Sequence, residues 1–214
     1  KNKGLQGRHK NKVMNNGGLV MPERVMVFID GSNLYLSVLR AFNRRDLDIG
    51  KLAVCLTNNR QLVRTYYYNA PIDPIEDPIG AREQQKFFSA LGWIPLLEKR
   101  MGKLLPREIR YTCPHCNKES VYRTHVQKGV DTRICVDLVT LGVRDRYDTA
   151  ILVSGDADMI EPIRFVHEYN NKRIENAFTL AGWAPELRAE ADIKTVLDAA
   201  LLTNCWRQGS PGKN

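Results

Sequence analysis

Acidic residues recur at the ends of the apolar segments of this chain, where parallel α/β sheets build their sites. Asp30 closes the first apolar run, and Asp156 and Asp158 follow a second one. Asp131 opens a helical pattern, and Asn33 follows Asp30 across one turn. Because the carboxyl ends of parallel strands share one edge of a sheet, we expect these side chains to converge. Clustered carboxylates resist ionising together, and Mg²⁺ or Mn²⁺ bound by their oxygens would remove that conflict.

Each acid also has a purely structural explanation. Asp30 could cap the following helix, and Asp131 could be favoured by a helix dipole. Asp156 or Asp158 could simply form a turn. These explanations weaken when taken together, because all four acids fall where this architecture builds sites. Asp137 lies six residues after Asp131 and is rotated away from it on a helix, so it is predicted to be solvated or structural.

Residues 99–128 differ from the rest of the chain in composition. They hold eight basic and two acidic residues, a net charge of +6. Strand patterns over 103–111 and 119–126 flank a Cys-Pro-His-Cys sequence, which predicts a projecting β-hairpin. Its cationic and aromatic side chains could hold a phosphate backbone and stack on unpaired bases, although a solvated basic ribbon explains them equally well. The predicted nucleic-acid contacts are Arg107, Arg110, Tyr111, Tyr122, Arg123 and Lys128.

The Cys113-x-x-Cys116 spacing supplies half of a structural zinc site, which needs four ligands. There is no second Cys-x-x-Cys pair, and His115 and His125 are the nearest further candidates. One alternative is a reduced turn that binds no metal. Another is a Zn²⁺ site shared between two copies of the chain, in which case the protein would be a homodimer.

The elements that must position these residues alternate between strand and helix. Helical patterns follow or separate most of the predicted strands, and this order predicts an α/β fold whose parallel sheet is covered on both faces. The predicted strands cover 24–30, 61–68, 93–97, 149–154 and 172–180, with a short segment at 192–196. The predicted helices cover 31–40, the surroundings of 52–56, 81–91, 131–142 and a segment ending near 169, with helical turns over 184–202.

Length and charge bound the remaining possibilities. The chain has 214 residues, 43% of them hydrophobic, which suits one sizeable domain and rules out wholesale disorder. Most of the net charge of +8 lies in the ends, so we predict a disordered basic tail over 1–20, a domain over 21–204 and a tail over 205–214. No apolar run is long enough to predict a membrane span. Five scattered cysteines favour a reducing, cytoplasmic location.

Three segments resemble the signature motifs of the NYN domain, in the LabA-like branch of the PIN-like nuclease superfamily. They are Val27–Asn33, Lys128–Asp131 with Asp137 beyond it, and Leu152–Asp158. The resemblance spans about residues 24–200 and implies a Rossmann-like three-layer sandwich with a mostly parallel sheet, in which the basic hairpin is a variable insertion. It also implies metal-dependent ribonuclease activity. By this resemblance, the family's site acids correspond to Asp30, Asp131, Asp156 and Asp158, and its motif asparagine corresponds to Asn33. Asp192 is a lesser candidate for a further site acid.

The residues and the resemblance together predict a magnesium-dependent nuclease that hydrolyses phosphodiester bonds. Single-stranded RNA is the favoured substrate, because tyrosines can stack on unpaired bases, and internal cleavage is favoured over exonucleolytic cleavage. The alternative is a non-catalytic RNA-binding or regulatory module on the same fold. A phosphatase of the haloacid-dehalogenase type is disfavoured, because that family needs an aspartate where this chain has Ser32.

Overall fold

A computed structural model describes residues 21–207 of the chain. The predicted tail over 1–20, and residues 208–214 of the other predicted tail, lie outside the described residues. Three residues beyond the expected boundary at 204 still pack on the domain. Cys205 is buried, and Trp206 forms an isolated antiparallel bridge with Leu47.

The elements follow the alternation that the sequence predicts. The strands are β1 Arg24–Asp30, β2 Gln61–Asn69, β3 Leu97–Met101, β4 Lys103–Thr112, β5 Glu119–Lys128, β6 Thr149–Val153, β7 Arg173–Phe178 and β8 Ile193–Val196. The helices are α1 Gly31–Phe42, α2 Ile49–Thr57, α3 Pro78–Leu91, α4 Val130–Val143, α5 Ile160–Asn170, α6 Pro185–Glu190 and α7 Ala199–Leu202, with short 3-10 turns at Ala157–Met159 and Thr203–Cys205.

One predicted strand lies later than expected. The segment 93–97 was expected to be extended, but β3 begins only at Leu97. The amide groups of Gly92, Trp93 and Ile94 still donate to carbonyls of the last turn of α3, so the chain keeps turning there. The backbone becomes extended only after Leu96, whose φ of 59° lies in the left-handed region.

Six parallel strands form the main sheet in the order β3-β2-β1-β6-β7-β8. The chain runs outward from β1 through β2 to β3, and then returns to the other side of β1 with β6. The boundary between β1 and β6 is therefore the topological switch point, where the loops that follow neighbouring strands lead away to opposite sides. Open α/β sheets form their sites at the carboxyl side of this boundary.

Helices cover both faces of the sheet, which makes the three layers. Side chains of β1 alternate between two apolar clusters: Val27 points into the cluster with Leu34 of α1, and Phe28 into the cluster with Ile134 of α4. Both clusters are buried, so the central strands read as continuous apolar runs. Among residues 21–207, no helix is both long and apolar enough to cross a bilayer.

The remaining strands, β4 and β5, form the predicted hairpin as a separate antiparallel sheet. Its register runs without a break from the pair Lys103–Lys128 to the pair Thr112–Glu119. Most of its side chains are exposed. The hairpin leaves the core directly after β3 and returns to it directly before α4, the helix that carries Asp131.

Candidate metal centre

Asp30 ends β1 with its side chain almost fully buried, at 4% exposure. One carboxylate oxygen, Oδ1, accepts from the Asn33 amide at 3.0 Å and thereby caps α1. The other oxygen, Oδ2, accepts from the Ser154 hydroxyl at 3.3 Å. Gly31 is needed next to it, because a Cβ there would overlap the ring of Tyr67. Asp30 is therefore a helix cap and a site candidate at once, so the two explanations do not exclude each other.

The loop after β6 brings a second carboxylate to the same place. The Ser154 hydroxyl, which donates to Asp30, also accepts from the Asp156 amide at 3.1 Å. Asn176 of β7 holds the Ser154 carbonyl through its side-chain amide at 2.8 Å. Ser154 thus links the ends of two neighbouring strands. We did not single it out from the sequence, although it stands inside a segment that resembles the NYN motifs.

Asn33 positions this loop. Its side-chain oxygen accepts from the Gly155 amide at 3.0 Å, which ties the first turn of α1 to the end of β6. Gly155 lies against the backbone of Gly182, and a Cβ at Gly155 would overlap that backbone. The motif asparagine therefore fixes the distance between Asp30 and Asp156 in the described structure.

The third carboxylate comes from the first turn of α4. Asp131 is exposed, and it follows Gly129, whose φ of 81° turns the chain from the hairpin into the helix. Carboxylate oxygens from Asp30, Asp131 and Asp156 all lie within 4.8 Å of one another. Three of the four acids singled out from the sequence therefore meet at the switch point.

Asp158 lies beside this cluster without joining it. Its side chain is exposed, and its amide donates to Asp156 Oδ1 at 3.0 Å. Its charge is nevertheless close enough to contribute to a raised pKa of Asp131. Asp158 is thus placed at the solvent side of the three clustered carboxylates.

The cluster is electrostatically uncompensated. Burial raises the pKa of Asp30, and the charges of Asp131 and Asp156 raise it further, while the hydrogen bond from the Asn33 amide opposes them. Partial desolvation of the Asp131 carboxylate, followed by the charges of Asp156 and Asp158, raises its pKa. None of the ion pairs within residues 21–207 includes these acids. An all-oxygen donor set with excess negative charge fits a hard divalent cation.

Two further acids have other roles. Asp137 accepts from the Tyr68 hydroxyl at 2.8 Å and lies 3.8 Å from the Arg100 guanidinium, so its role is structural. Asp192 precedes β8 and therefore lies at the amino edge of the parallel sheet, opposite the cluster. There it accepts from the Ile174 amide at 2.8 Å and lies 2.9 Å from His167 Nε2. The expectation that Asp192 belongs to the site is therefore wrong.

The acids lie at the carboxyl edge of the sheet. Two clefts, of about 780 and 520 Å³, lie elsewhere, and both have Glu23, Arg173 and Ile193 in their walls. Neither cleft is lined by an acid of the cluster. Asp131 and Asp158 are exposed, so a ligand can reach the cluster from solvent.

The hairpin divides the predicted nucleic-acid contacts between its two faces. In an antiparallel pair, directly opposed residues share a face, and successive residues alternate. One face carries the opposed pairs Lys103–Lys128, Arg107–Thr124, Ile109–Tyr122 and Tyr111–Ser120, and we call it the tyrosine face. Arg110 and Arg123 lie on the other face, where Arg123 donates to Glu108 at 3.0 Å.

The cysteine pair forms the tip of the hairpin. The Asn117 amide donates to the Cys113 carbonyl at 2.9 Å, and the φ of Asn117, 54°, completes the turn. The backbone amides of His115 and Cys116 lower the pKa of the Cys113 thiol, which favours the thiolate that binds metals. Within the described part of the chain, no third metal-binding side chain joins this pair.

His125 cannot complete that site. It pairs with Pro106 in the ladder, seven residues from Cys113 along the strand, which is a separation of about 23 Å at the usual rise per residue. Its side chain instead contacts Asp73 in the loop that precedes α3. The expectation that His125 could be a zinc ligand beside the cysteines is therefore wrong.

Comparisons with known proteins agree with this architecture. The sequence profile of the NYN domain matches residues 24–198. A crystal structure of a protein of unknown function from Vibrio parahaemolyticus superposes with a TM-score of 0.60 at 19% identity, over 83% of this chain and 94% of that one. At this identity the likeness shows the fold alone. No protein of curated function matches the sequence. Since the profile covers most of the chain, the protein belongs to the NYN domain family.

Proposed function

We propose that this protein is a magnesium-dependent endoribonuclease that hydrolyses phosphodiester bonds in single-stranded RNA. We place it in the LabA-like branch of its family, within the PIN-like nuclease superfamily. The observation that carries the proposal is the convergence of Asp30, Asp131 and Asp156, whose carboxylate oxygens lie within 4.8 Å of one another. Family membership supports the same chemistry.

In this proposal Asp30, Asp131 and Asp156 hold the cation, with Asp158 at the solvent side. A bound Mg²⁺ or Mn²⁺ would polarise the scissile phosphate and activate the attacking water. The hydrogen bonds of Asn33 and Ser154 hold the ends of the two neighbouring strands together, and so keep their carboxylates close to one another. The protein's own contribution is therefore a set of carboxylate oxygens, held in place by hydrogen bonds, at an edge that a polymer can reach.

The tyrosine face of the hairpin is the proposed RNA contact. Tyr111 and Tyr122 are both more than half exposed, and Arg107, Lys103 and Lys128 lie on the same face. Cations there would neutralise phosphates while the rings stack on unpaired bases, which a duplex does not offer. Arg110 and Arg123 would contribute through long-range attraction from the opposite face.

A cleavage assay tests the catalytic part. Labelled single-stranded RNA, duplex RNA and single-stranded DNA are incubated with Mg²⁺, Mn²⁺ or chelator. Asp156→Asn should remove most metal-dependent cleavage and leave cooperative unfolding intact. Asp192→Asn is the matched control, because it changes an acid of the same sheet at the opposite edge. Full activity in both Asp30→Asn and Asp156→Asn would rule out this site.

The alternative function is a non-catalytic RNA-binding or regulatory module on the same fold. RNA binding through the tyrosine face combined with no cleavage in either metal would favour it.

Two double variants test the RNA contact on the hairpin. One carries Arg107→Ala and Tyr122→Ala, and the other carries Arg110→Ala and Arg123→Ala. The first pair should weaken binding more, since it removes a ring and a cation from one face, whereas the second pair should mainly flatten the salt dependence. Equal effects on affinity would overturn the assignment of faces.

A second metal is proposed at the hairpin tip. Cys113 and Cys116 would supply two thiolates to Zn²⁺, and the same pair of a second copy would supply the other two, giving a homodimer. The domain limits proposed are 21–204, with residues 205–207 packed against the domain and the hairpin at 99–128 as its insertion. Cys113→Ser should make a dimeric protein monomeric in sedimentation experiments, and an unchanged mass would contradict the shared site.

A further inference from the structure

A second cluster of metal-binding side chains lies where the hairpin meets the core. Asp73 and Glu76 stand in the loop between β2 and α3, and His125 stands on β5. One ligand atom from each of the three residues lies within 4.8 Å of the others. The cluster shares no residue with the acids at the switch point.

Two of these ligand atoms are buried and lack a hydrogen-bond partner. Asp73 is only 6% exposed, and neither its Oδ2 nor His125 Nδ1 forms a hydrogen bond with any residue in 21–207. The two atoms nevertheless contact each other, and Glu76 Oε1 lies 3.6 Å from His125 Nδ1. A cation held among these three ligand atoms would satisfy both buried atoms at once.

The rest of the loop holds the Asp73 carboxylate in this orientation. Its other oxygen, Oδ1, accepts from the Ile75 amide at 2.8 Å, and its backbone carbonyl accepts from the Asp77 amide at 2.9 Å. The Oδ2 atom of Asp73 is therefore directed at His125, while its Oδ1 accepts the hydrogen bond from Ile75. Glu76 is about half exposed, so a cation can reach the cluster from solvent.

We propose that Asp73, Glu76 and His125 form a Zn²⁺ site that fastens the hairpin to the loop before α3. Imidazole nitrogens and carboxylate oxygens are both ligands that Zn²⁺ binds, whereas Mg²⁺ prefers oxygen alone. The site joins His125, on one face of the hairpin, to the core. The tyrosine face is the opposite face and stays free. This inference does not depend on the proposed nuclease activity.

Zinc titration tests the site in a background that lacks the tip thiols. The full chain carrying Cys113→Ser and Cys116→Ser is stripped with chelator and titrated with ZnCl₂ in excess Mg²⁺, which occupies the all-oxygen site. One Zn²⁺ per chain should bind by calorimetry, and His125→Ala and Asp73→Asn should each abolish that binding. His167→Ala is the matched control, because His167 pairs with the single carboxylate of Asp192, and it should bind Zn²⁺ normally.

A second measurement guards against a variant that fails to fold. Asp73→Asn retains the oxygen that accepts from the Ile75 amide, so it should fold as the background protein does. Zn²⁺ should raise the unfolding temperature of the background protein and leave that of Asp73→Asn unchanged. Co²⁺ should give visible absorption bands only where Asp73 and His125 are intact. If the background protein binds no Zn²⁺, or if binding survives both substitutions, the cluster is an ion pair and the proposal is wrong.

Discussion

Ser154→Ala tests whether the link between the two strand ends matters for function. The substitution removes a hydroxyl that donates to Asp30 Oδ2 at 3.3 Å and accepts from the Asp156 amide at 3.1 Å. Ser154 is 3% exposed, so water does not readily replace the lost group. The variant keeps all carboxylates of the cluster, and any change in metal use must come from their arrangement and protonation.

The expected loss of stability follows from these two bonds. The hydrogen bond to Asp30 is longer than the usual O–H···O distance. Its loss should therefore cost about 1.5 kcal/mol, the lower end of the range for hydrogen bonds to a charged acceptor. The unsatisfied Asp156 amide adds about 1 kcal/mol. At roughly 2–4 °C per kcal/mol for a chain of this size, the unfolding temperature should fall by about 5–10 °C.

The effect on metal use has a definite sign. Burial raises the pKa of Asp30, while the Ser154 hydroxyl partly offsets the rise. Without the hydroxyl the pKa of Asp30 rises further, so protons compete with the cation up to a higher pH. At a pH below the pKa of Asp30, a loss of about 1.4 kcal/mol from the ionised form corresponds to about tenfold weaker apparent Mg²⁺ affinity, and the difference disappears at higher pH. The acid limb of the cleavage profile should therefore move to higher pH, and added Mg²⁺ should restore the rate.

The assay compares cleavage at several pH values and Mg²⁺ concentrations for wild type, Ser154→Ala and Ser37→Ala. Ser37 is equally buried, but its hydroxyl donates to the Leu34 carbonyl and not to an acid, so its loss should lower stability without changing the Mg²⁺ requirement. If Ser154→Ala melts lower but keeps the wild-type pH profile and Mg²⁺ requirement, the reasoning is refuted.

Three other outcomes follow from individual contacts. In chelator at neutral pH, Asp30→Asn should unfold at a higher temperature than wild type, because the raised pKa of Asp30 makes its ionised carboxylate destabilising. This difference should vanish as the pH falls below the pKa of an unfolded aspartate, and Mg²⁺ should stabilise only the wild type. Asn33→Ala should lower the free energy of unfolding by about 1–2 kcal/mol and slow cleavage, whereas a normal rate would show that the Gly155 contact is dispensable. Arg60→Ala should lower the free energy of unfolding in urea by about 3–5 kcal/mol, because it leaves the buried Glu175 carboxylate without its 2.9 Å partner, and a loss below about 1 kcal/mol would contradict this account.

The sequence by itself determined the layers and the placement of the acids. Continuous apolar runs such as 24–30 and 149–153 specify strands buried on both faces, and the helices between them require parallel pairing. The carboxyl ends of such strands meet at one edge, so Asp30 and Asp156 were predictable as neighbours. The hairpin was also predictable, since its signal is local: two extended patterns flank a turn.

Only the tertiary structure decided which other side chains meet, because these contacts join residues far apart in the chain. Asp137 could have faced water, but packing places it against the Tyr68 hydroxyl. Asp192 precedes β8, and the parallel direction of that strand places it at the edge opposite the cluster, where it meets His167. His125 is close to the cysteines in sequence, but strand pairing holds it far from them at the hairpin tip, and it contacts Asp73 instead. Local propensity fixes a residue's element, whereas its partners depend on how the elements pack.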